Sequence, residues 1–395
     1  MEQWQEQEYE FRRRAGEERI ERRRLLRRGL AVGIGLTVLS LSETALAARA
    51  HALADPPLRA KDMSLADLIR EAKREKTLNT IALPRDWASY GELMDTFQAK
   101  YGIAVVNADP NASSAGENEA VRSSKGDPGS PDVLDVNPSA ATDGANEGLY
   151  AKYFTTNFGK VPRAMKDGRG FWVGGYWGAV SFGVNRSIVQ RAPKSWADLL
   201  KPEYKNKIAL NGNPLSSGSA VAGVLSASIA NGGSITDIGP GIEFFAKLKQ
   251  AGNFLPVQAT SQTIALGQTP IVIDWDYLSL AYAKDFPAAK IQTVIPADAV
   301  YGSYYCQAIS AAAPHPFAAR LWQEFLYSDQ GQLLWLKGYS HPALFQDLIK
   351  RNVVPKSLIN GFPNAAAYEK LRFANKWQVE TARARVTAEW PSKVG

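Results

Sequence analysis

LNTIALPRDWASYGELMDTFQAKYGIAVV, residues 78–106, is the stretch from which the fold is read. Residues 78–83 form a β-rich apolar run that stops at Pro84. Leu93, Met94 and Phe97 then recur at helical spacing within residues 89–101, and Gly102 supplies a C-terminal stop. Residues 103–106 open a second strand. Strand, helix, strand at this spacing predicts a parallel α/β sheet, because parallel neighbours need a crossover and a helix is the usual one.

Upstream, Ser64 begins a helix that runs to about residue 76. Downstream, residues 111–129 are rich in Ser, Gly, Asn and Ala, with few apolar side chains. Residues 131–136 form a short strand ending at Asn137-Pro138-Ser139. Residues 171–185 set Trp172, Tyr176 and Trp177 among glycines and turn strand-like from Ala179. A helix restarts over residues 193–200, a strand follows at 207–210, and Asn211 to Pro214 turn. The serines at 216, 217 and 219 lead into residues 220–230, a helix apolar or small on every side and hence buried. Residues 241–250 read as helix, 271–273 as a buried strand ending in Asp274-Trp275-Asp276-Tyr277, and 291–295 as strand. Residues 303–310 read as a crossing strand and 316–327 as an amphipathic helix; the tail is helical with proline breaks.

A chain of 395 residues favours two domains. Hydrophobic residues at 45% suffice for two cores, and the net charge of +7 comes without a Lys/Arg block in residues 55–395. A nucleic-acid partner is therefore not expected. The single cysteine, Cys306, forms no internal disulfide and sits among aromatic and small neighbours, as a packed thiol does. His315 and His341 each precede a proline, a pattern of helix N-terminal turns, and two such histidines do not make a zinc site. No cofactor and no metal site is expected.

The N-terminus reads as an address. Nine arginines fall within residues 12–28, an uncharged stretch of 14 residues follows at 29–42, and small-x-small patterns come next. This predicts a cleaved export signal over residues 1–54. Arg27-Arg28 before the apolar run fits a twin-arginine signal, with Sec export the alternative, and the destination is the periplasm.

Four segments carry a resemblance: residues 178–185 (GAVSFGVN), 195–205 (SWADLLKPEYK), 271–277 (IVIDWDY), and 314–319 (PHPFAA) running into 328–332 (SDQGQ). In order and spacing they resemble the bacterial extracellular solute-binding proteins of the ferric, polyamine and phosphonate group. The resemblance implies a two-lobed, type II periplasmic-binding-protein-like α/β fold, with mixed sheets flanked by helices and crossing strands at the hinge. It places residues 60–180 with about 300–345 in one lobe, and 181–299 with 346–395 in the other. It further implies a monomer that captures a small solute between the lobes and delivers it to the permease subunits of an ABC importer.

Polar strand ends fit that picture, since ligands of open α/β sheets bind beyond the carboxyl ends of strands. Arg85, Asp86 and Trp87 close the first run. Asn137 and Ser139, and Ser216 and Ser219, precede helices whose N-termini favour anions. Trp275 and Tyr277 would wall a cleft, with Asp276 free to pair with an amine; Tyr176 and Trp177 would add aromatic surface. In ferric-binding members a tyrosine pair ends a strand of the second lobe. By resemblance that pair falls at Trp275 and Asp276, so it is lost, while Tyr304-Tyr305 lies on the later crossing strand. The favoured ligand is a zwitterionic or anionic organic molecule, then a polyamine, then a ferric ion. The competing readings are an exported hydrolase using cleft carboxylates and a ligand sensor for a membrane receptor. No G-x-S-x-G occurs and no histidine adjoins a plausible nucleophile, so an enzyme is not expected.

Overall fold

One strand serves two sheets. The computed structural model describes residues 55–395; the chain divides into the units Met1–Asp55 and Pro56–Gly395, and the expected export leader lies outside the described residues. Within Pro56–Gly395, β5 (Trp172–Asn185) pairs antiparallel with β9 (Tyr301–Ser310) from Trp172↔Ala308 to Ala179↔Gly302. From Val180 onward it pairs instead with β7 (Ile271–Trp275) and β8 (Ile291–Val294). Gly178 stands at this changeover, where a Cβ would lie 2.5 Å from the Tyr277 ring. Only glycine lets the crossing strand approach that ring so closely.

The first sheet adds β1 (Thr77–Ile81), β2 (Ala104–Ala108) and β3 (Val133–Val136) beside β9. The parallel pairing read from residues 78–106 is present, in register Thr77↔Ala104. Short strands extend it: β4 (Tyr150–Ala151) and β11 (Arg372–Phe373) on β9, and β10 (His341–Pro342) on β5. The second sheet adds β6 (Ile208–Leu210), parallel to β7.

Helices follow strands. In chain order they are α1 (Leu65–Glu75), α2 (Tyr90–Tyr101), α3 (Ser114–Ser123), α4 (Pro138–Asn146), α5 (Gly218–Ala230), α6 (Gly239–Gln250), α7 (Ser261–Ala265) and α8 (Asp276–Asp285). α9 (Pro316–Leu326), α10 (Asp329–Lys337), α11 (Phe345–Lys350), α12 (Lys356–Ile359) and α13 (Lys376–Lys393) complete the set. Ser64 caps α1 by accepting from the Asp67 N–H, and Gly102 closes α2 in the left-handed region at φ 68°. Phe97 of α2 packs edge-on against Trp322 of α9 under the first sheet. Under the second, Trp196 is fully buried against Phe182, Phe244 and Phe245. α5 is as buried as its all-round apolar sequence requires.

The structure departs from the sequence reading at several elements. Residues 193–200 yield only a short 3-10 turn, Ala197–Leu200. His341 is a strand residue whose ring stacks on Trp177 at 3.9 Å, whereas His315 does precede a helix with Pro316 at its first position. A helix, α3, occupies part of residues 111–129; it buries Glu117 and Asn118, so the apolar signal that would have announced it is missing. Another, α8, starts directly at the end of β7. The expected division placed residues 346–395 with the second lobe. In the structure α12 packs on α10, β11 joins the first sheet, and α13 touches α4 of the first layer as well as α5 and α6 of the second.

Candidate functional site

A cavity of about 1220 Å³ is lined from both layers. The caps of four helices face it. Ser113 (α3), Asn137 (α4), Ser217 (α5) and Thr260 (α7) each accept from a backbone N–H of the first turn, and all four line the cavity. A helix N-terminus leaves backbone N–H groups without intrahelical partners and carries the positive end of the helix dipole, so the convergence favours negative charge. The local sequence explains the placement at α4: the buried run of β3 ends at Val136, Asn137 caps, and Pro138 occupies the one position where a missing N–H costs nothing.

One wall is aromatic. Trp87 meets Tyr305 edge-on at 5.6 Å, and Tyr305 stacks on Tyr176 at 5.6 Å with 12° between the planes. Behind this wall runs a polar chain. The Trp87 indole N–H donates to the Tyr176 hydroxyl (2.7 Å), which donates to Asp135 (2.8 Å), and Gln307 also donates to Asp135 (2.5 Å). Burial raises Asp135 to about 7 and holds Glu117 well above the usual carboxylate range. Glu117 accepts from the Asp135 backbone N–H. The opposite layer has a counterpart: Asn211 donates to Asp274 at 2.7 Å, and burial raises Asp274 to about 7.

Of the residues read from the sequence, the structure brings Asp86, Trp87, Asn137, Ser139, Ser216 and Ser219 to the cavity. Seven others lie elsewhere. Arg85 is exposed, paired with Asp95 at 2.5 Å, and outside the cavity lining. Tyr176 is fully buried behind Trp87. Trp177, one residue on, faces the other side of β5 and stacks on His341. Trp275 is buried, with its indole N–H donating to Ser219 (3.0 Å). Tyr277 is buried against Trp87 and Tyr176. Asp276 is fully buried at the start of α8 and accepts from the Ala179 and Tyr277 N–H groups and from the Tyr368 hydroxyl. The sequence string reads as an open strand end, but the immediate start of α8 at Asp276 folds these three side chains inward. Tyr304 points away and donates to the Ala164 carbonyl (2.9 Å). On a strand, neighbours face opposite sides, so Tyr305 rather than Tyr304 reaches the cavity.

Residues the sequence reading missed include Ser113, Tyr282 and Arg383. Ser113 had a signal, a serine three residues before Gly116 in a polar stretch; Arg383, on the last helix, had none. Among the described residues, no three His, Cys, Asp or Glu side chains converge to hold a metal ion. No helix among them is long and apolar enough to cross a membrane.

The family model described as bacterial extracellular solute-binding protein matches residues 129–366. Solved structures share the fold. The periplasmic binding protein P5PA gives a TM-score of 0.64 at 18% identity, over 81% of this chain and 99% of that one. AfuA from Actinobacillus pleuropneumoniae, solved with fructose-6-phosphate bound, gives 0.64 at 17%, over 80% and 98%. The Atu4243-GABA receptor gives 0.62 at 16%, over 81% and 97%. Identities this low speak to fold alone, and that fold is the type II periplasmic-binding-protein architecture. A comparison with curated proteins gives no match.

Proposed function

From the premise that this chain belongs to the bacterial extracellular solute-binding protein family, we propose that it is the exported solute-capturing subunit of an ABC importer. It takes an anionic or zwitterionic organic molecule into the cavity between its two sheets and presents it to the permease. The observation that carries this reading is the convergence of four capped helix N-termini, from both layers, on one cavity of about 1220 Å³. That volume exceeds the roughly 300–1,000 Å³ of ordinary ligand pockets, as an open cleft awaiting closure would. Among similar structures, a fructose-6-phosphate complex and a GABA receptor accord with the ligand class, while a spermidine/putrescine-binding protein and an iron-bound one represent the other two. Export to the periplasm through a cleaved leader over residues 1–54, lobes divided near Ala179, and a monomeric state complete the proposal.

Native mass spectrometry of the protein from its own cells, paired with small-angle scattering, tests it. A retained small anion or zwitterion, with compaction when it is added back, is the expected result. A particle whose dimensions no solute alters, and which retains none, refutes the reading.

A further inference from the structure

Among the described residues, one cation on the cavity wall has no counter-ion. Arg383 stands on α13, which crosses from one layer to the other. At its start Lys376 pairs with Asp143 of α4 (2.5 Å). Toward its end Arg385 pairs with Asp237 and Lys393 with Glu243, and Trp390 packs on Phe245 at 5.4 Å. Between these anchors Arg383 lines the cavity. Its Nη2 lies 3.2 Å from where a Cβ on Gly218 would stand, and Asn137 Nδ2 lies 3.7 Å from the same point. Gly218 is the first residue of α5 and Asn137 caps α4. The guanidinium therefore sits beside the positive ends of two helices and an amide donor. Among the described residues no carboxylate pairs with it, and its Nε is buried without a hydrogen-bond partner. Burial depresses its proton affinity below the usual arginine value.

A partly buried guanidinium without a counter-ion has lost some of its hydration and gained no charge partner in return. The acids nearby are engaged: Lys376 holds Asp143 and Glu380, and Arg122 holds Glu119 and Glu147. An incoming oxyanion supplies what is missing, accepting from the guanidinium fork and from the first-turn N–H groups of α4 and α5.

Resting on the solute-binding reading above, we propose that Arg383, delivered by the C-terminal helix, reads the solute's anionic group, a carboxylate, phosphonate or phosphate seated between the N-termini of α4 and α5. Gly218 is glycine because a side chain there would crowd the guanidinium.

Calorimetry on the full chain tests this with inorganic phosphate, aminoethylphosphonate, γ-aminobutyrate and a hexose phosphate as probes, and putrescine as the cationic control. Arg383→Gln lowers affinity for the oxyanion probe that binds by about 100-fold, as expected for loss of a bidentate charged hydrogen bond. Arg383→Lys restores part of it, since the ammonium keeps the charge but not the fork. Thermal melts of both variants verify folding. The probe that binds separates carboxylate from phosphorus oxyanions. An oxyanion bound equally by wild type and Arg383→Gln overturns the proposal and leaves the solute-binding reading standing, as does a wild type that takes only putrescine. A wild type that takes no probe and retains no molecule overturns both.

Discussion

Replacing Asp276 separates a structural carboxylate from a ligand contact. Oδ1 of Asp276 accepts from the N–H groups of Ala179 and Tyr277, both at 3.0 Å, and Oδ2 accepts from the Tyr368 hydroxyl at 2.6 Å. The residue thus ties the crossing point of β5, the first turn of α8 and the C-terminal segment. Asp276→Ala strands two buried N–H groups, each costing about 1–3 kcal/mol, while Tyr368, only half-buried, can turn to water. Loss of the charge at a helix N-terminus adds about 0.3–1 kcal/mol. Relief of the carboxylate's own desolvation, which raises it to about 6, offsets part of this, leaving a net loss of about 3 kcal/mol. Asp276→Asn keeps the Oδ1 carbonyl for both N–H groups, and its amide can donate to the Tyr368 oxygen. It should cost under about 1 kcal/mol. Urea unfolding at neutral pH measures both, and calorimetry with the bound solute should find affinity unchanged in each. Equal losses for Ala and Asn would mean that charge rather than hydrogen bonding holds the site. An Asn variant that folds normally yet binds an amine-bearing solute tenfold more weakly would place Asp276 in the cleft after all.

Gly241→Ala would put a Cβ 2.1 Å from the Val224 carbonyl oxygen, backbone that cannot swing aside; forcing α5 and α6 apart should cost about 1–3 kcal/mol in urea melts, with binding retained. Stability should fall as pH rises through the window between the unfolded aspartate value of 3.8 and the folded value of about 7 for Asp135 and Asp274, because the folded state holds protons there that the unfolded state has released. His341, lowered by burial from 6.5 to about 3, acts oppositely, its contribution being lost as pH falls below 6.5. Asp135→Asn with Asp274→Asn should flatten the decline in urea midpoint, and an unchanged slope would contradict the assignment. Asp86→Asn should weaken an amine-bearing solute about tenfold while sparing inorganic phosphate, since Asp86 is the cavity carboxylate without a hydrogen-bond or ion-pair partner among the described residues; equal weakening of both would remove Asp86 as the amine's partner.

The layered α/β plan was legible because period and punctuation agree: the run from Leu78, the helix stopped by Gly102 and the strand after it fold as read. The cavity was legible where polar side chains cluster between a strand end and the first turn of the next helix, as at Asn137 and Ser139 of α4 and at Ser216 and Ser219 around the start of α5. It was not legible at Trp275-Asp276-Tyr277, because whether a polar strand end opens to solvent depends on the next turn. There α8 begins at once and carries the string into the core. Nor could parity be fixed on β9, where a shift of one residue exchanges Tyr304 for Tyr305. Arg383 was out of reach for another reason: it comes from a helix far along the chain whose docking rests on tertiary contacts.

Charge bookkeeping along the cavity bears on which ligand class the protein can hold. Nine ionisable acids and arginines line it: Asp86, Glu117, Glu119, Asp135, Asp143, Glu147, Glu380, Arg122 and Arg383. Taken by sign alone they suggest a site for a cation, and a polyamine would follow. Yet Glu119 and Glu147 share Arg122, and Asp143 and Glu380 share Lys376, so each trio keeps a single negative charge and no carboxylate free of an ion pair. Glu117 and Asp135 are buried and pushed toward the protonated form, Asp135 to about 7. Apart from those two buried acids, the lining groups without an ion-pair partner among the described residues are one anion, Asp86, and one cation, Arg383, with the N-termini of α4 and α5 on the cation's side. A polyamine would have to compete with Arg122 and Lys376 for the shared carboxylates, whereas a molecule with an oxyanion at one end and an amine at the other meets both unpaired groups.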